Sequence, residues 1–215
     1  MIPDDLREFL PSDLVRTWEA IAPIVPASAY LAGGTAIVVH MQHRVSQDLD
    51  FFFDGDFDLD ALTKALTQVG PFAATMNDET TLNGVFFATK IQFLDARKQH
   101  AVDDDVRIGA LRIASMRDLV ATKLNVVGSR GELRDYFDLM AIEQAERGSA
   151  EMGLGDLLDR YRPKDPGSTL LHIVEALGYL DDVDEDGLVP IPKDDVATYW
   201  ERRQPAVLKA MGRLV

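Results

Sequence analysis

The chain contains no cysteine, which excludes disulfide bonds, thiol catalysis and cysteine-bound zinc. No apolar run approaches the length of a membrane span, and residues 1–10 lack the basic-then-apolar pattern of a secretory signal. Basic side chains are scarce, since 22 Lys and Arg stand against 36 Asp and Glu for a net charge of −14. That charge repels nucleic acid overall, so a general nucleic-acid binder is disfavoured. We expect a soluble cytoplasmic protein with no membrane partner.

Strand-like and helix-like segments are distributed unevenly along the 215 residues, of which 47% are hydrophobic. Sequence patterns predict early helices over 14–24, 36–41 and 58–69, strands over 30–32, 45–53, 72–76, 85–89, 91–94 and 106–113, and a turn at Asn83-Gly84. Later helices are predicted over 116–127, 132–147, 155–161, 168–180 and 194–213, with a break at 128–131. This order is typical of an α+β fold with a helical C-terminal portion.

The most informative segment covers 31–53. An apolar run ends in Gly33-Gly34, and Asp48 and Asp50 follow inside a second apolar run. Two carboxylates separated by one residue on a strand share a face, roughly 6–7 Å apart, and are unfavourable there without a cation between them. A glycine turn before a helix N-terminus can hold a phosphate. The segment therefore suggests a divalent metal and nucleotidyl or phosphoryl transfer. The alternative is a tight turn followed by a solvent-facing edge strand.

The spacing between the glycine pair and the DLDF string resembles the first motif of the polymerase-β-type nucleotidyltransferase superfamily. The fuller string, GGTA followed by HRVSQDLDFFF, is similar to the AbiEii/AbiGii branch of that superfamily. A second match, over 111–142, resembles that branch's later motif of a lysine-bearing helix, a glycine-containing break and an Arg-Asp-x-x-Asp-Leu helix. The resemblance implies a nucleotidyltransferase core over 1–114, with a mixed β-sheet flanked by helices. A helical portion over 115–215 would pack on that core.

The resemblance also implies roles for individual residues. The implied catalytic residues are Asp48, Asp50, Lys123 and Asp135, of which Asp48 and Asp50 are the metal-binding pair. The implied nucleotide-binding residues are Gly33, Gly34, Thr35, Arg44, Ser46 and Lys123. Magnesium in a two-metal site is the implied cofactor, with manganese as the alternative.

One position departs from the superfamily pattern. Superfamily members often supply a third carboxylate from a later strand, as metal ligand or as base for the attacking hydroxyl. The corresponding position here is Gln92, which cannot accept a proton in that role. Asp95 lies three residues further on, hence on the opposite face of a regular strand. The general base is unassigned, with Asp135 as a substitute.

Simpler interpretations exist for the later motif. Lys123 flanks the apolar stripe of its predicted helix, so its stem could extend along that stripe with the ammonium in water. Arg134 and Asp138 are four residues apart on one helix and could form a surface ion pair, a spacing that stabilises helices only slightly.

The resemblance implies a magnesium-dependent nucleotidyltransferase that moves an NMP unit from an NTP to an acceptor and releases pyrophosphate. Such a protein would be the toxin of a toxin–antitoxin or phage-abortive system, with tRNA as one acceptor and an antitoxin encoded nearby. Residues 107–134 carry six basic side chains against two acidic ones and could receive an RNA acceptor, with a protein or a small hydroxyl compound as the alternative acceptor. The alternative function is a non-catalytic nucleotide-binding or interaction module of the same fold, as Gln92 would allow.

Overall fold

The computed structural model describes residues 2–215 and divides them into two compact units. The first unit contains the described residues up to Gln99 together with Asp104–Ser115, and the second contains His100–Asp103 together with Met116–Val215. The division into domains 1–114 and 115–215 stays a prediction. Each unit is described separately below.

The first unit is built on a mixed β-sheet. In chain order it contains a 3₁₀ helix (Asp4–Phe9), α1 (Ser12–Ile21), β1 (Ala29–Ala32), α2 (Gly33–Met41), β2 (Asp48–Phe53), α3 (Leu59–Val69), β3 (Phe72–Asn77), β4 (Thr81–Phe86), β5 (Thr89–Asp95), β6 (Val106–Ile108) and β7 (Leu111–Ile113). Among the described residues the sheet has seven strands in the order β3-β4-β5-β2-β1-β7-β6. The β2–β5 and β1–β7 pairs are parallel and the remaining pairs are antiparallel. The predicted mixed sheet is therefore confirmed.

Alternation along β2 separates an apolar face from a polar face. Leu49, Phe51 and Phe53 are completely buried, and the Phe51 ring stacks on Phe93 of β5 with ring centroids 4.9 Å apart. Because successive side chains of a strand point to opposite faces, the residues between them, beginning with Asp48, lie on the other side of the sheet. The aromatic face anchors β2 in the core and fixes the polar face in place.

The second unit is helical. It contains α4 (Met116–Arg130), α5 (Leu133–Gln144), α6 (Ala150–Tyr161), α7 (Pro166–Leu177) and α8 (Lys193–Met211). The indole of Trp200 is completely buried and donates a hydrogen bond to the Tyr136 carbonyl at 3.0 Å, which joins α8 to α5. Arg160 of α6 and Asp118 of α4 form a buried ion pair at 2.5 Å. Nowhere in residues 2–215 does a helix combine the length and apolarity that crossing a membrane requires.

Two glycines that predict breaks in the sequence lie inside regular elements. The turn predicted at Asn83-Gly84 is wrong, and the break predicted over 128–131 occurs only at its end, between Arg130 and Leu133. Gly84 lies inside β4, where a Cβ atom would come 2.2 Å from the Phe72 ring, so the glycine admits a cross-strand aromatic side chain. Gly128 lies inside α4, where a Cβ atom would come 2.5 Å from Ile173 of α7. Both glycines serve close packing within a regular element rather than a turn.

The elements at the first motif also differ from the prediction. Helix α2 starts at Gly33 instead of residue 36, and β2 starts at Asp48 instead of residue 45. The glycine pair therefore forms the first turn of α2 itself. Asp48 is the first residue of its strand and Asp50 the third.

Candidate active site

The two glycines of the first motif allow side chains to lie directly against the first turn of α2. Gly33 has a φ of +64°, which favours glycine, and a Cβ atom there would come 2.3 Å from Asp50 Oδ2. At Gly34 a Cβ atom would come 2.6 Å from a terminal guanidinium nitrogen of Arg44. The absence of both side chains thus brings a carboxylate and a guanidinium to the start of one helix.

Hydroxyl groups hold the following segment in position. The Thr35 and Ser46 hydroxyls lie 2.8 Å apart, and the Thr35 hydroxyl also donates to the Asp48 carbonyl. A threonine hydroxyl has one proton and two lone pairs, so it can donate to Asp48 while accepting from Ser46. The Ser46 amide donates to the Phe9 carbonyl at 3.1 Å. Thr35 and Ser46 are both buried, and their bonds fix the chain that leads into β2.

The predicted residues of the first motif therefore lie together in the first unit. We call this set the strand cluster; its members are Gly33, Gly34, Thr35, Arg44, Ser46, Asp48 and Asp50. Arg44 is buried and donates to the Val45 carbonyl at 2.9 Å. Asp48 and Asp50 share one half-buried face of β2, as predicted. Within residues 2–215, the Asp48 carboxylate makes no hydrogen bond or ion pair.

The strand cluster fits a divalent metal in one specific way. No group of three or more metal-ligating side chains occurs in the part of the chain that the structure describes. Magnesium is commonly bound in proteins through one or two carboxylates, with water and substrate phosphates completing the octahedron. Asp48 and Asp50 supply hard oxygen ligands of that kind beside the N-terminal amides of α2. The donor set thus suits a metal that arrives with a phosphate.

The position predicted for a third carboxylate lies next to Asp50. Strand β5 runs parallel to β2, and the register places Gln92 opposite Asp50. Asp95 lies opposite Phe53, hence on the apolar side, and the Arg97 guanidinium lowers the pKa of the Asp95 carboxyl to about 2 through hydrogen bonds. Asp95 is therefore no substitute for Gln92. The same register places Lys90 opposite Asp48, a position that the sequence motifs do not indicate.

The second motif forms a buried ion cluster in the second unit. The Lys123 ammonium lies 2.6 Å from Asp135 and 2.8 Å from Asp138, and we call these three residues the lysine triad. All three side chains are buried, Asp138 completely. Asp135 also accepts a hydrogen bond from the Glu132 amide at 2.9 Å and so caps α5. Lys123 does not extend toward water, and the simpler interpretation of its role is wrong.

Arg134 forms different contacts from those suggested by its sequence spacing. Its guanidinium pairs with Glu132 and lies 3.7 Å from Asp186, whereas Asp138 pairs with Lys123. The suggested Arg134–Asp138 surface pair is therefore wrong. Asp138 is completely buried, so it faces the nearest buried cation and not the solvent side of α5.

The basic stretch 107–134 is largely neutralised by carboxylates. Beyond Lys123 and Arg134, two further members have acidic partners. Arg112 pairs with Asp54 and Asp105, and Arg117 pairs with Asp156. Four of the six basic side chains of this stretch are therefore paired with carboxylates within their own unit.

Comparison with known proteins decides the family. The family model described as the nucleotidyl transferase AbiEii toxin of type IV toxin–antitoxin systems matches residues 21–208. The chain belongs to the AbiEii family. The match includes both the strand cluster and the lysine triad, so the resemblance drawn from the two motifs is confirmed. As an AbiEii member the chain is a nucleotidyltransferase toxin, and nucleotidyltransferases of this kind generally use divalent metal ions.

Two proteins similar to this AbiEii chain differ from it widely in sequence. An uncharacterized protein of Aquifex aeolicus (strain VF5) is 25% identical over 178 residues, which are 80% of this chain and 81% of that protein. The crystal structure of JHP933 from Helicobacter pylori aligns with 100% of this chain and 96% of its own, with a TM-score of 0.60 and 16% identity. At that identity the likeness shows a shared fold and nothing about substrates.

Proposed function

We propose that this AbiEii protein transfers an NMP unit from an NTP to an acceptor hydroxyl, with Asp48 and Asp50 binding Mg²⁺. The observation that carries the proposal is the approach of Asp50 to the first turn of α2, with the Asp48 carboxylate on the same strand face. In this proposal the metal ligands and the phosphate-binding amides are adjacent. It is the combination that nucleotidyl transfer requires.

The first turn of α2 is suited to hold the triphosphate. Its N-cap residue Ala32 provides no side-chain hydrogen bond, so the free amides of that turn keep their donor capacity. Those amides and the positive end of the helix dipole favour an anion. The buried Arg44 guanidinium lies against Gly34 and adds positive charge at the same place. We assign Gly33, Gly34 and Arg44 to phosphate binding.

The chemistry follows from this assignment. The acceptor hydroxyl oxygen forms a bond to the α-phosphorus, the bond between the α-phosphorus and the bridging oxygen breaks, and pyrophosphate leaves with its electron pair. The hydroxyl proton passes to solvent or to a base that we do not assign. A bound Mg²⁺ or Mn²⁺ would neutralise the triphosphate and polarise the phosphoryl oxygens. We include the two-metal arrangement in the proposal.

The lysine triad has a supporting role in this proposal. The family resemblance gives Lys123 a role in nucleotide binding, and Asp135 and Asp138 hold its ammonium in place through contacts of 2.6 and 2.8 Å. Asp135 is a poor candidate for the general base, since one of its oxygens contacts Lys123 and the other accepts the Glu132 amide. We therefore assign it to positioning Lys123.

The acceptor and the partner are further parts of the proposal. The family description as a type IV toxin–antitoxin toxin supports an antitoxin encoded nearby as the partner. We propose an RNA acceptor, with the tRNA 3′ end as its specific form. The net charge of −14 argues that such an RNA is engaged locally, at the strand cluster, and not through a broad basic surface.

The proposal is tested by measuring the transfer of a labelled NMP unit. The protein is incubated with Mg²⁺, each α-labelled NTP in turn, and total cellular RNA plus protein, and the products are separated by electrophoresis. We expect one RNA band to become labelled, with loss of label in EDTA and in the variants Asp48→Ala and Asp50→Ala. The control Asp60→Ala removes an exposed carboxylate of the same unit and should label normally.

Other outcomes have defined meanings. Label in a protein or small-molecule fraction would replace the RNA acceptor and keep the reaction. Label that persists in Asp48→Ala would refute the metal site. Binding of NTP without transfer to any fraction would support the non-catalytic module instead.

A further inference from the structure

Lys90 is a charged residue of the first unit that the proposed reaction does not use. It is the second residue of β5, it is exposed, and it lies opposite Asp48 in the parallel β2–β5 register. Opposite residues of paired strands point to the same face, with about 4.8 Å between the strands. The Lys90 ammonium therefore lies on the face of Asp48 and Asp50.

The two opposite charges do not pair. Within residues 2–215, neither Lys90 nor the Asp48 carboxylate takes part in an ion pair or a side-chain hydrogen bond. On its other side Lys90 lies opposite Val85 of β4, and Gln92 is the next residue on its own strand face. Its neighbours on the sheet are thus one carboxylate and two uncharged side chains.

The Lys90 ammonium would repel a divalent cation bound at Asp48 and Asp50 unless an anion lay between them. A divalent cation at Asp48 and Asp50 would balance their two charges and leave Lys90 as an excess positive charge on the adjacent strand. Two cations a few ångströms apart repel each other unless an anion lies between them. A phosphate group can accept charge-assisted hydrogen bonds from an ammonium while binding a metal.

We propose that Lys90 binds a phosphate group of the substrate beside the metal-binding pair. The inference rests on the proposed function for the metal at Asp48 and Asp50 and for the identity of the substrate. The phosphate has two sources, the NTP triphosphate or a backbone phosphate of an RNA acceptor. The experiment separates these sources.

The variants are Lys90→Met, which removes the charge and keeps most of the stem, and Lys90→Arg, which keeps the charge. Lys64→Met is the matched control, because Lys64 is an exposed lysine of the same unit, on α3, with no partner in residues 2–215. Thermal unfolding by circular dichroism verifies that all three variants fold. An exposed lysine contributes little to stability, so we expect unchanged midpoints.

Binding is measured without requiring turnover. Calorimetry with magnesium pyrophosphate and with each Mg·NTP reports the triphosphate, and fluorescence anisotropy with a labelled twelve-nucleotide single-stranded RNA reports the acceptor. We expect Lys90→Met to weaken one of these by roughly tenfold, the size of a lost charge-assisted hydrogen bond, with Lys64→Met unchanged and Lys90→Arg near wild type. An RNA contact would also reduce the slope of log K against log salt by about one unit or less.

The outcomes are distinguishable. Weaker pyrophosphate and NTP binding assigns Lys90 to the triphosphate, and weaker RNA binding assigns it to the acceptor. If Lys90→Met and Lys64→Met bind every probe equally, the inference is wrong. Failure of label transfer in the wild-type protein would refute the proposed function and leave these binding results to decide about Lys90.

Discussion

The strand cluster and the lysine triad both concentrate charge, but they satisfy it differently. In the lysine triad a single ammonium contacts two carboxylates at 2.6 and 2.8 Å, and all three groups are buried. On the strand face, Asp48 is half-buried and Lys90 is exposed, and each lacks a partner within residues 2–215. An unpaired buried charge strongly destabilises the fold, whereas water solvates a partly exposed charge, which can therefore stay unpaired until a ligand binds. We infer that the lysine triad mainly stabilises the fold and that the charges on the strand face mainly bind substrate.

Removal of the Asp48 carboxylate should have the largest effect on activity and almost none on stability. We expect Asp48→Ala to reduce NMP transfer by about 10³-fold or more, because metal binding is lost. The free energy of unfolding measured with urea should stay within about 0.5 kcal/mol of wild type, since no hydrogen bond of that carboxylate is broken. A strongly destabilised Asp48→Ala protein would show that the carboxylate is structural and would invalidate the contrast.

Removal of the Asp138 carboxylate should, in contrast, strongly reduce the free energy of unfolding. Asp138→Ala leaves Lys123 buried with one carboxylate fewer, and breaking a buried ion pair from one side destabilises by about 3–5 kcal/mol. Urea unfolding followed by circular dichroism measures the loss. Asp184→Ala, an exposed aspartate of the same unit, should change stability by less than about 0.5 kcal/mol. Equal stability of the two variants would show that the lysine triad does not hold the fold.

The two regions also differ in how far the sequence could predict them. The strand cluster lies within 31–53, and the period of two along β2 is enough to predict that Asp48 and Asp50 share one face. The lysine triad joins α4 to α5, and its geometry depends on where α4 ends. Because α4 continues to Arg130 through a glycine that predicts a break, the pairing of Lys123 does not follow from the sequence pattern.

The errors at glycine have a common physical cause. A glycine can be required for its backbone freedom or for the space that its missing side chain leaves, and sequence alone does not distinguish these. Gly33 needs both, since its φ is +64° and Asp50 lies against it. Gly84 and Gly128 need only space, for Phe72 and Ile173, which are distant in sequence or on another element. A turn prediction from glycine therefore fails where tertiary packing is the reason for it.

Substitution of Gly33 should affect the strand cluster through the backbone. A Cβ atom in Gly33→Ala would lie 2.3 Å from Asp50 Oδ2 at a positive φ, so we expect a destabilisation of about 1–3 kcal/mol. Transfer should also fall by about tenfold or more as Asp50 is displaced. Gly155→Ala is the control, because a Cβ atom there meets no atom within 4 Å and the residue is helical. That control should be neutral or stabilising by up to about 1 kcal/mol.

The hydrogen bonds of Glu143, in the helical unit, predict that stability depends on pH. Burial alone would raise the pKa of Glu143, but hydrogen bonds from Arg203, the Ala150 amide and Tyr199 lower it below its ordinary value. A lowered pKa stabilises the folded state above the unfolded pKa of about 4.3, and that stabilisation is lost as pH falls through the folded pKa. We expect Glu143→Gln to be about 1–2 kcal/mol less stable than wild type at pH 7.

The predicted pH dependence is tested by urea unfolding of wild type and Glu143→Gln between pH 7 and pH 3. The difference should be constant down to about pH 4.3 and should shrink below it. A difference that grows as pH falls would mean that the Glu143 contacts favour the protonated carboxyl. Transfer activity at pH 7, per folded molecule, should be unchanged, because Glu143 belongs to neither cluster.

The smallest predicted effect sharpens the comparison on the strand face itself. Gln92→Glu adds a carboxylate opposite Asp50, where like charges on neighbouring strands repel by up to about 1 kcal/mol without metal. A divalent cation would reverse that penalty, so the variant should need about 3–10-fold less Mg²⁺ for half-saturation, as seen by calorimetry and by transfer. The stability of Gln92→Glu should rise with added Mg²⁺ while that of wild type changes less. A weaker Mg²⁺ affinity of Gln92→Glu in calorimetry without nucleotide would mean that this face does not bind the metal, because an added carboxylate attracts a divalent cation bound beside it.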